Sequence, residues 1–405
     1  MLINDFSGPH QNPFKSFLMG GFECADHLNA FGNRVDLFHA SGHDRYLEED
    51  FDQLNGLGIQ TVREGIRWSH VETQHYQYDW SVVEQIVEVS QRKNIQVIWD
   101  ICHFGFPDDL TPLHPMFARR FSHLCRAFVT KYRSLVPHGP LIVTPINEVS
   151  FLSWLGGDVR GTSPYCVGQG WEVKYSLMKA YIEGIEMMKE VDPSIRILVT
   201  EPLISIVTSN PANILSLAEA QKKHLEQFQV HDILTGAMCP ELRGKPEYLD
   251  IIGVNYYYNN QWFNETHEFL PWAEEPAHPY YRTLHSLIQS VFKRYGRPVI
   301  ISETSHPKED RAKWIHSITK ECISLLEAEI PLLGCCIYPV VDRPDWDDLD
   351  EWHHSGLYDI FNTNSLERVP NIDSIIAISK FMKHIKAVQS ITDKFYDRNS
   401  GLNVG

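Results

Sequence analysis

The chain has 405 residues, 43% hydrophobic and 22% charged, an ordinary globular composition with ample material for a core. Its formal charge of −16 excludes nucleic acid and anionic membrane as main partners, because both demand a basic face. The opening MLINDFSGPHQNPFKSF has no apolar leader core, and no run of about 18 apolar residues follows, so a cytoplasmic protein without a membrane span is expected.

The first apolar run, FLMGGFE (17–23), reads as a strand. YLEEDFDQLNGLG (46–58) has helical spacing, with Leu47, Phe51 and Leu54 on one face and a glycine stop. QTVREGI (60–66) is the second strand, WSVVEQIVEVSQRKN (80–94) a helix, and IQVIWDICHF (95–104) the third strand. A long helix (116–135) leads to LIVTPINE (141–148), the fourth strand, and a glycine-rich loop (153–170) follows. The helix 171–191 precedes IRILVTE (195–201), and mostly helical residues 212–236 precede LDIIGVNYY (249–257). Residues 259–280 read as loop, and a helix near 281–295 feeds RPVIISE (297–303). Helix 308–328 leads to LLGCCIYP (332–339), the eighth strand, before a long polar loop (340–370) and a last helix (371–388).

Eight strands alternate with eight helices. The strands are nearly continuous apolar runs, as when both faces are covered. Strict alternation implies parallel pairing with right-handed crossovers. The expected fold is α/β, a single (β/α)8 TIM barrel with elaborated βα loops, over residues 1–388, with 389–405 as a C-terminal tail. The eight cysteines, many in apolar runs and none in a CxxC spacing, read as free thiols.

Chemistry in such barrels lies at the C-terminal strand ends. Those positions hold Glu23, Arg63, His103, Asn147 with Glu148, Glu201, Asn255 with Tyr257, Glu303 and Tyr338. Glu148 and Glu303, three strands apart, can converge over the axis, and paired carboxylates are what glycoside hydrolysis needs. A magnesium site of the enolase kind would want three acidic ends and a lysine base, and no lysine stands at a strand end. Ion pairing with arginine is the purely structural alternative. His39 and His43 frame HASGH, where Ser41 and Gly42 favour a polar loop over the barrel mouth rather than zinc. His353 and His354 read as loop residues, and NGLG (55–58) as a helix stop rather than a nucleotide motif.

TPINEV followed by VIISET resembles the acid/base and nucleophile strands of clan A glycoside hydrolases, and the order of motifs is similar to glycoside hydrolase family 1, the β-glucosidases and β-galactosidases. The resemblance runs over residues 17–360 or so. It implies Glu148 as general acid/base and Glu303, in ISETS, as nucleophile. It implies substrate-binding roles for Glu23, Arg63 (five positions before Trp68), His103, Asn147, Tyr257, Tyr338, Asp345 and Trp346. The last three come from YPVVDRPDW (338–346), spaced like the family's loop after strand eight. There are departures. Glu23 stands for the family's glutamine, Tyr338 for its tryptophan and Asp345 for its glutamate, and the tryptophan after the strand-three histidine is missing. Reaction class therefore carries over better than sugar identity.

The expectation is a retaining β-glycosidase acting on small oligosaccharides or glycoconjugates, with no metal or organic cofactor. Glu148 would start protonated, Glu303 ionised beside Arg63 and Tyr257, the carboxyls about 5–5.5 Å apart, and Asn147 on the sugar 2-OH. Trp68, Trp99, Trp154, Trp262, Trp346 and Trp352, on or near strand ends and loops, are candidates to pack on sugar faces, with core packing as the alternative. A transglycosidase using the same intermediate and a non-catalytic sugar-binding barrel are the alternatives.

Overall fold

The apolar runs form eight parallel strands: β1 Leu18–Gly21, β2 Thr61–Gly65, β3 Gln96–Cys102, β4 Ile142–Ile146, β5 Arg196–Pro202, β6 Ile251–Asn255, β7 Val299–Thr304 and β8 Leu332–Ile337. They close in sequence order, with β8 pairing back onto β1 where Cys335 lies opposite Leu18. The computed structural model describes residues 12–400, with side chains to 388. The opening segment read for a leader falls largely outside these residues, as does the end of the tail.

Strand alternation explains the composition. Met19, Ile98, Ile142, Leu198, Ile251, Ile300 and Cys336 fill the barrel with Phe14 and Tyr338. Their neighbours Val62, Val97, Val143, Ile197, Ile252, Ile301 and Cys335 belong to the larger core outside it. Apart from β2, whose inward face carries Arg63, the strands are thus apolar on both faces, and each buried aliphatic side chain contributes about 1.5–3 kcal/mol.

The helices His43–Gly56, Ser81–Arg92, Phe117–Leu135, Gly170–Val191, Leu284–Tyr295 and Arg311–Glu327 stand near their expected places. Helical residues 212–236 resolve into Ile214–Leu225 and Gln229–Leu234, joined by a tight 3-10 turn. The last helix passes 388 and continues to Ser400, since no glycine or proline interrupts it before Gly401. Part of the expected loop 259–280 is a strand, Gln261–Phe263, pairing with Ser205–Val207. All eight cysteines are free thiols. Among the described residues no helix is long and apolar enough to cross a membrane.

The HASGH stretch differs from the loop expected of it. Gly42 takes φ +71°, and His43 opens a helix and is buried. Because β2 alternates, Arg63 faces into the barrel while Glu64 faces this helix. His43 holds Asp50 at 2.6 Å through Nδ1 and Glu64 at 2.9 Å through Nε2. Arg368 caps Asp50 with two bonds of 2.8 Å. Burial alone would lower the His43 pKa, but Glu64 and Asp50 outweigh it and raise it to about 9. A raised folded-state pKa gives stability that is complete below the unfolded value of 6.5 and lost as pH rises through about 9. His43→Leu is therefore expected to cost about 3 kcal/mol near pH 6, by urea denaturation, because it strands Glu64. The gap to the parent should shrink as pH rises past 9, and a gap constant with pH would contradict this reading.

Candidate active site

Arg63 organises the mouth of the barrel. Its Nε and Nη2 donate to Asp100 at 3.1 and 2.8 Å, and Nη2 also donates to Asn147 Oδ1 at 2.8 Å. Its Nη1 donates to Glu303 Oε1 at 2.8 Å. Guanidinium offers only donors, so Asn147 must turn its oxygen toward Arg63. Thr200 Oγ1 donates to that same oxygen at 2.8 Å, and the buried Asn147 Nδ2 is left without a partner.

Glu303 reaches the mouth through an irregularity in β7. The register against both β6 and β8 shifts just after Ile301. An inserted residue puts successive side chains on one side of a strand. Ser302 Oγ can then donate to Asn255 Oδ1 at 2.6 Å while Glu303 meets Arg63, and Thr304 turns outward to accept from Trp314 Nε1. The second Glu303 oxygen accepts from the Tyr257 hydroxyl at 2.7 Å. Burial, then the charges of Glu303 and Glu148, push the Tyr257 phenol up, so it remains a donor.

Glu148 sits at the turn from β4 into the helix Val149–Gly157, with φ +46° and ψ +56°. A non-glycine residue in that region costs on the order of 1–3 kcal/mol and persists where the surroundings impose it. Here its N–H donates to Thr200 O at 3.0 Å, and Asn255 Nδ2 donates to its Oε1 at 2.8 Å. Burial pushes the Glu148 carboxyl well above its ordinary value, and the Glu303 and Glu201 charges push further. Glu201 accepts from Ser150 N–H, and its own carboxyl is raised to about 7, mostly by burial.

The two glutamates are therefore unlike. Glu303 accepts from one cationic and one phenolic donor. Glu148 is buried beside two carboxylates, which favour its acid form against the single amide donor from Asn255. Paired titratable groups with opposed surroundings mark acid and base roles.

On the other side of the mouth, His103 Nδ1 lies 2.9 Å from Asp100 Oδ2 and its Nε2 lies 3.2 Å from the Tyr338 hydroxyl. Burial opposes the imidazolium, but Asp100 and Glu23 outweigh it and raise the His103 pKa. Tyr338 stacks on His103 at 5.6 Å and donates to Glu23 at 3.3 Å. Its ring lies against β1, where a Cβ on Gly21 would fall 2.1 Å from it. Glu23 accepts from the Cys24 and Ala25 amides and pairs with Arg343 Nε at 3.2 Å. Its carboxylate braces the pocket wall more than it faces a ligand.

Asp345 makes its hydrogen bonds within its own loop. It accepts from the Asp347 amide at 2.8 Å and lies 2.9 Å from His353, so it folds its own loop. Its side chain is one methylene shorter than glutamate and is held by the adjacent turn. The Trp346 ring packs with centroids 5.3 Å from Phe104 and 6.1 Å from Phe151, and exposed Trp154, 5.7 Å from Phe151, extends this aromatic group. Trp68 and Trp99 are fully buried core residues, and half-buried Trp262 lies in the Gln261–Phe263 ribbon. Half-buried Trp352 bridges to Pro344.

The sequence reading passed over several contributors. Asp100 was legible, since it shares the inward face of β3 with Ile98 and a buried acid requires a cation. Asn255, noted only as a strand end, proves to join Glu148 to Ser302. Arg343 and His27, in loops, carried no periodic signal. Among the described residues two groups of side chains are close enough to share a cation, Cys24 with Asp100 and His103, and Asp342 with His354 and Asp359. Each already holds a guanidinium, Arg63 on Asp100 and Arg311 on Asp359 at 2.8 Å, so both read as internal ion pairs.

No protein-family model and no curated protein sequence matches the chain. Solved structures do. A β-glucosidase from Thermotoga maritima in complex with glucoimidazole is 14% identical, covering 93% of this chain and 100% of its own, with a TM-score of 0.73. The virulence factor SghA, solved with its substrate analogue salicin, is 15% identical over 90% of this chain and 95% of its own, at 0.70. The β-glycosidase BGL167 is 16% identical over 93% and 98%, at 0.69. At such identities the likeness is one of fold: the chain shares the closed (β/α)8 barrel of these structures.

Proposed function

We propose that the protein is a retaining β-glycosidase acting on small oligosaccharides or glycoconjugates, with Glu148 as acid/base and Glu303 as nucleophile. The observation that carries this is the asymmetry of the two carboxyls. Arg63 and Tyr257 hold Glu303 for attack, while Glu148 is kept protonated beside it.

In the first step a Glu303 oxygen bonds to the anomeric carbon as the glycosidic C–O bond breaks. The Glu148 proton goes to the departing oxygen. In the second step Glu148, now a carboxylate, takes a proton from water while that water's oxygen replaces the Glu303 ester oxygen at the sugar. Asn147 Nδ2, buried and unpaired, supplies a donor for the 2-OH, and that bond strengthens as positive charge develops on the ring. The aromatic rim of Phe104, Phe151, Trp154 and Trp346 suits the C–H faces of sugars. The remaining binding roles fall to Arg63, His103, Tyr257 and Tyr338, through the contacts above. Neither a metal nor an organic cofactor enters these steps, and a neutral cytoplasmic substrate accords with the acidic chain.

A panel of aryl β-glycosides (gluco, galacto, manno, fuco, xylo), with and without an added sugar acceptor, tests the reading. Release of phenol with free sugar is expected from at least one substrate. Products carrying only the acceptor would point to transglycosylation, and binding without turnover anywhere would point to a sugar-binding barrel.

A further inference from the structure

We infer that Glu201 is a positioning residue that acts through Glu148: its carboxylate fixes the turn carrying Glu148 and supplies the negative charge beside which Glu148 holds its proton; this rests on the glycosidase reading above. Glu201 lies near the end of β5 and is 3% exposed. Its oxygens accept from a backbone amide, Ser150 N–H, at 3.3 and 3.2 Å. A buried carboxylate is costly unless it is paired or hydrogen-bonded, so this one is held where it is by the turn it grips.

Two adjacent residues of β5 fix that turn. Thr200 faces inward; its carbonyl accepts from Glu148 N–H at 3.0 Å and its hydroxyl donates to Asn147 Oδ1 at 2.8 Å. Glu201, the next residue along the strand, faces the helix Val149–Gly157 and takes the Ser150 amide. Residues 147, 148 and 150 are thus all tied to one strand end. Glu148 sits between these ties at φ +46°, a conformation that persists only where its surroundings impose it. Without Glu201, an amide in the first turn of that helix would lose its acceptor.

The charge of Glu201 matters as well as its bonds. Burial raises the Glu148 carboxyl, Glu303 adds to this, and Glu201 adds further. Glu201 itself is raised to about 7, by burial first, against the Ser150 amide and Lys174. Facing it from the helix Gly170–Val191 are Lys174, whose Nζ donates to Gln229 Oε1 at 2.7 Å, and Tyr181, whose phenol is pushed up by burial and then by Glu201. As pH rises through about 7, Glu201 becomes an anion and then opposes ionisation of Glu148. The proton needed for the leaving group is thereby retained farther into the alkaline range than Glu303 alone would retain it.

The test measures kcat/KM across pH for the parent, Glu201→Gln and Glu201→Leu, each checked for folding by near-ultraviolet circular dichroism. One substrate is an aryl glycoside with a poor leaving group and the other a dinitrophenyl glycoside. Glu201→Gln keeps an acceptor for Ser150 N–H but no charge. Its alkaline limb on the poor leaving group should move toward acid by about half a pH unit or more, a shift that a residue merely holding the turn would not produce. Glu201→Leu removes bond and charge together. On the acidic side of the limb it should lose about tenfold or more on the poor leaving group and about threefold or less on the dinitrophenyl glycoside, with Glu201→Gln recovering most of that loss. A limb unmoved by Glu201→Gln, or a Leu variant that falls equally on both substrates, overturns the inference and leaves the glycosidase reading intact. A parent that cleaves no glycoside overturns both. If the Leu variant fails to fold, the limb of Glu201→Gln decides alone. If neither folds, carbon-13 titration of the parent's glutamate carboxyls decides: a Glu148 signal, assigned by its loss in Glu148→Gln, with a first inflection near 7 supports the inference, and a single inflection overturns it.

Discussion

Glu303→Gln is expected to reduce kcat/KM on activated aryl β-glycosides by about four orders of magnitude or more, with the fold preserved. Glutamine fills the same volume but cannot form the glycosyl ester, so the two-step route is closed. The fold should survive because Arg63 keeps both bonds to Asp100 and its bond to Asn147 when Glu303 loses its charge. Steady-state rates with a dinitrophenyl glycoside, beside a thermal melt, check both halves. A variant within tenfold of the parent would remove Glu303 from the chemistry.

Glu148→Ala is expected to separate substrates by their leaving groups. A poor leaving group needs the proton that Glu148 supplies, so its kcat/KM should fall by about 10²–10⁴-fold. A dinitrophenolate leaves unaided, so its first step should be nearly spared, and slow ester hydrolysis should appear as a burst. The pH profile gives an independent reading. Burial and the neighbouring carboxylates raise the Glu148 pKa, so the parent is expected to be active below that raised value and to lose activity as pH climbs through it. With Glu148→Ala the alkaline limb should vanish for dinitrophenyl substrates. A limb that persists unchanged would assign the proton to another group.

Much of the barrel was legible because each strand is buried on both faces, and continuous apolar runs such as Val299–Ile301 leave few other readings. Strand ends then indicated which residues reach the mouth, and Arg63, His103, Asn147, Tyr257 and Tyr338 do meet there. Orientation was less legible. Simple alternation would have turned Glu303 toward the outer helices, and only the register shift after Ile301 turns it inward. The left-handed backbone at Glu148 is likewise invisible in its residue type. Residues beyond the strands were harder still. The resemblance implied a sugar-binding role for Asp345, while in the structure its short side chain accepts from the amides of its own turn. Glu23 stood at a strand end as well, but the two amides that follow it occupy one of its oxygens. Contacts to neighbouring backbone leave no trace in a pattern of hydrophobic and polar residues.

The separation of roles proposed for Glu148 and Glu303 has a direct stereochemical consequence, because two displacements at one carbon restore its configuration. Proton NMR of the sugar first released from a cleaved aryl β-glycoside, recorded before mutarotation, reads it at once. The β-anomer is the expected first product. An α-anomer would mean a single displacement by water, and Glu303 could not be the nucleophile.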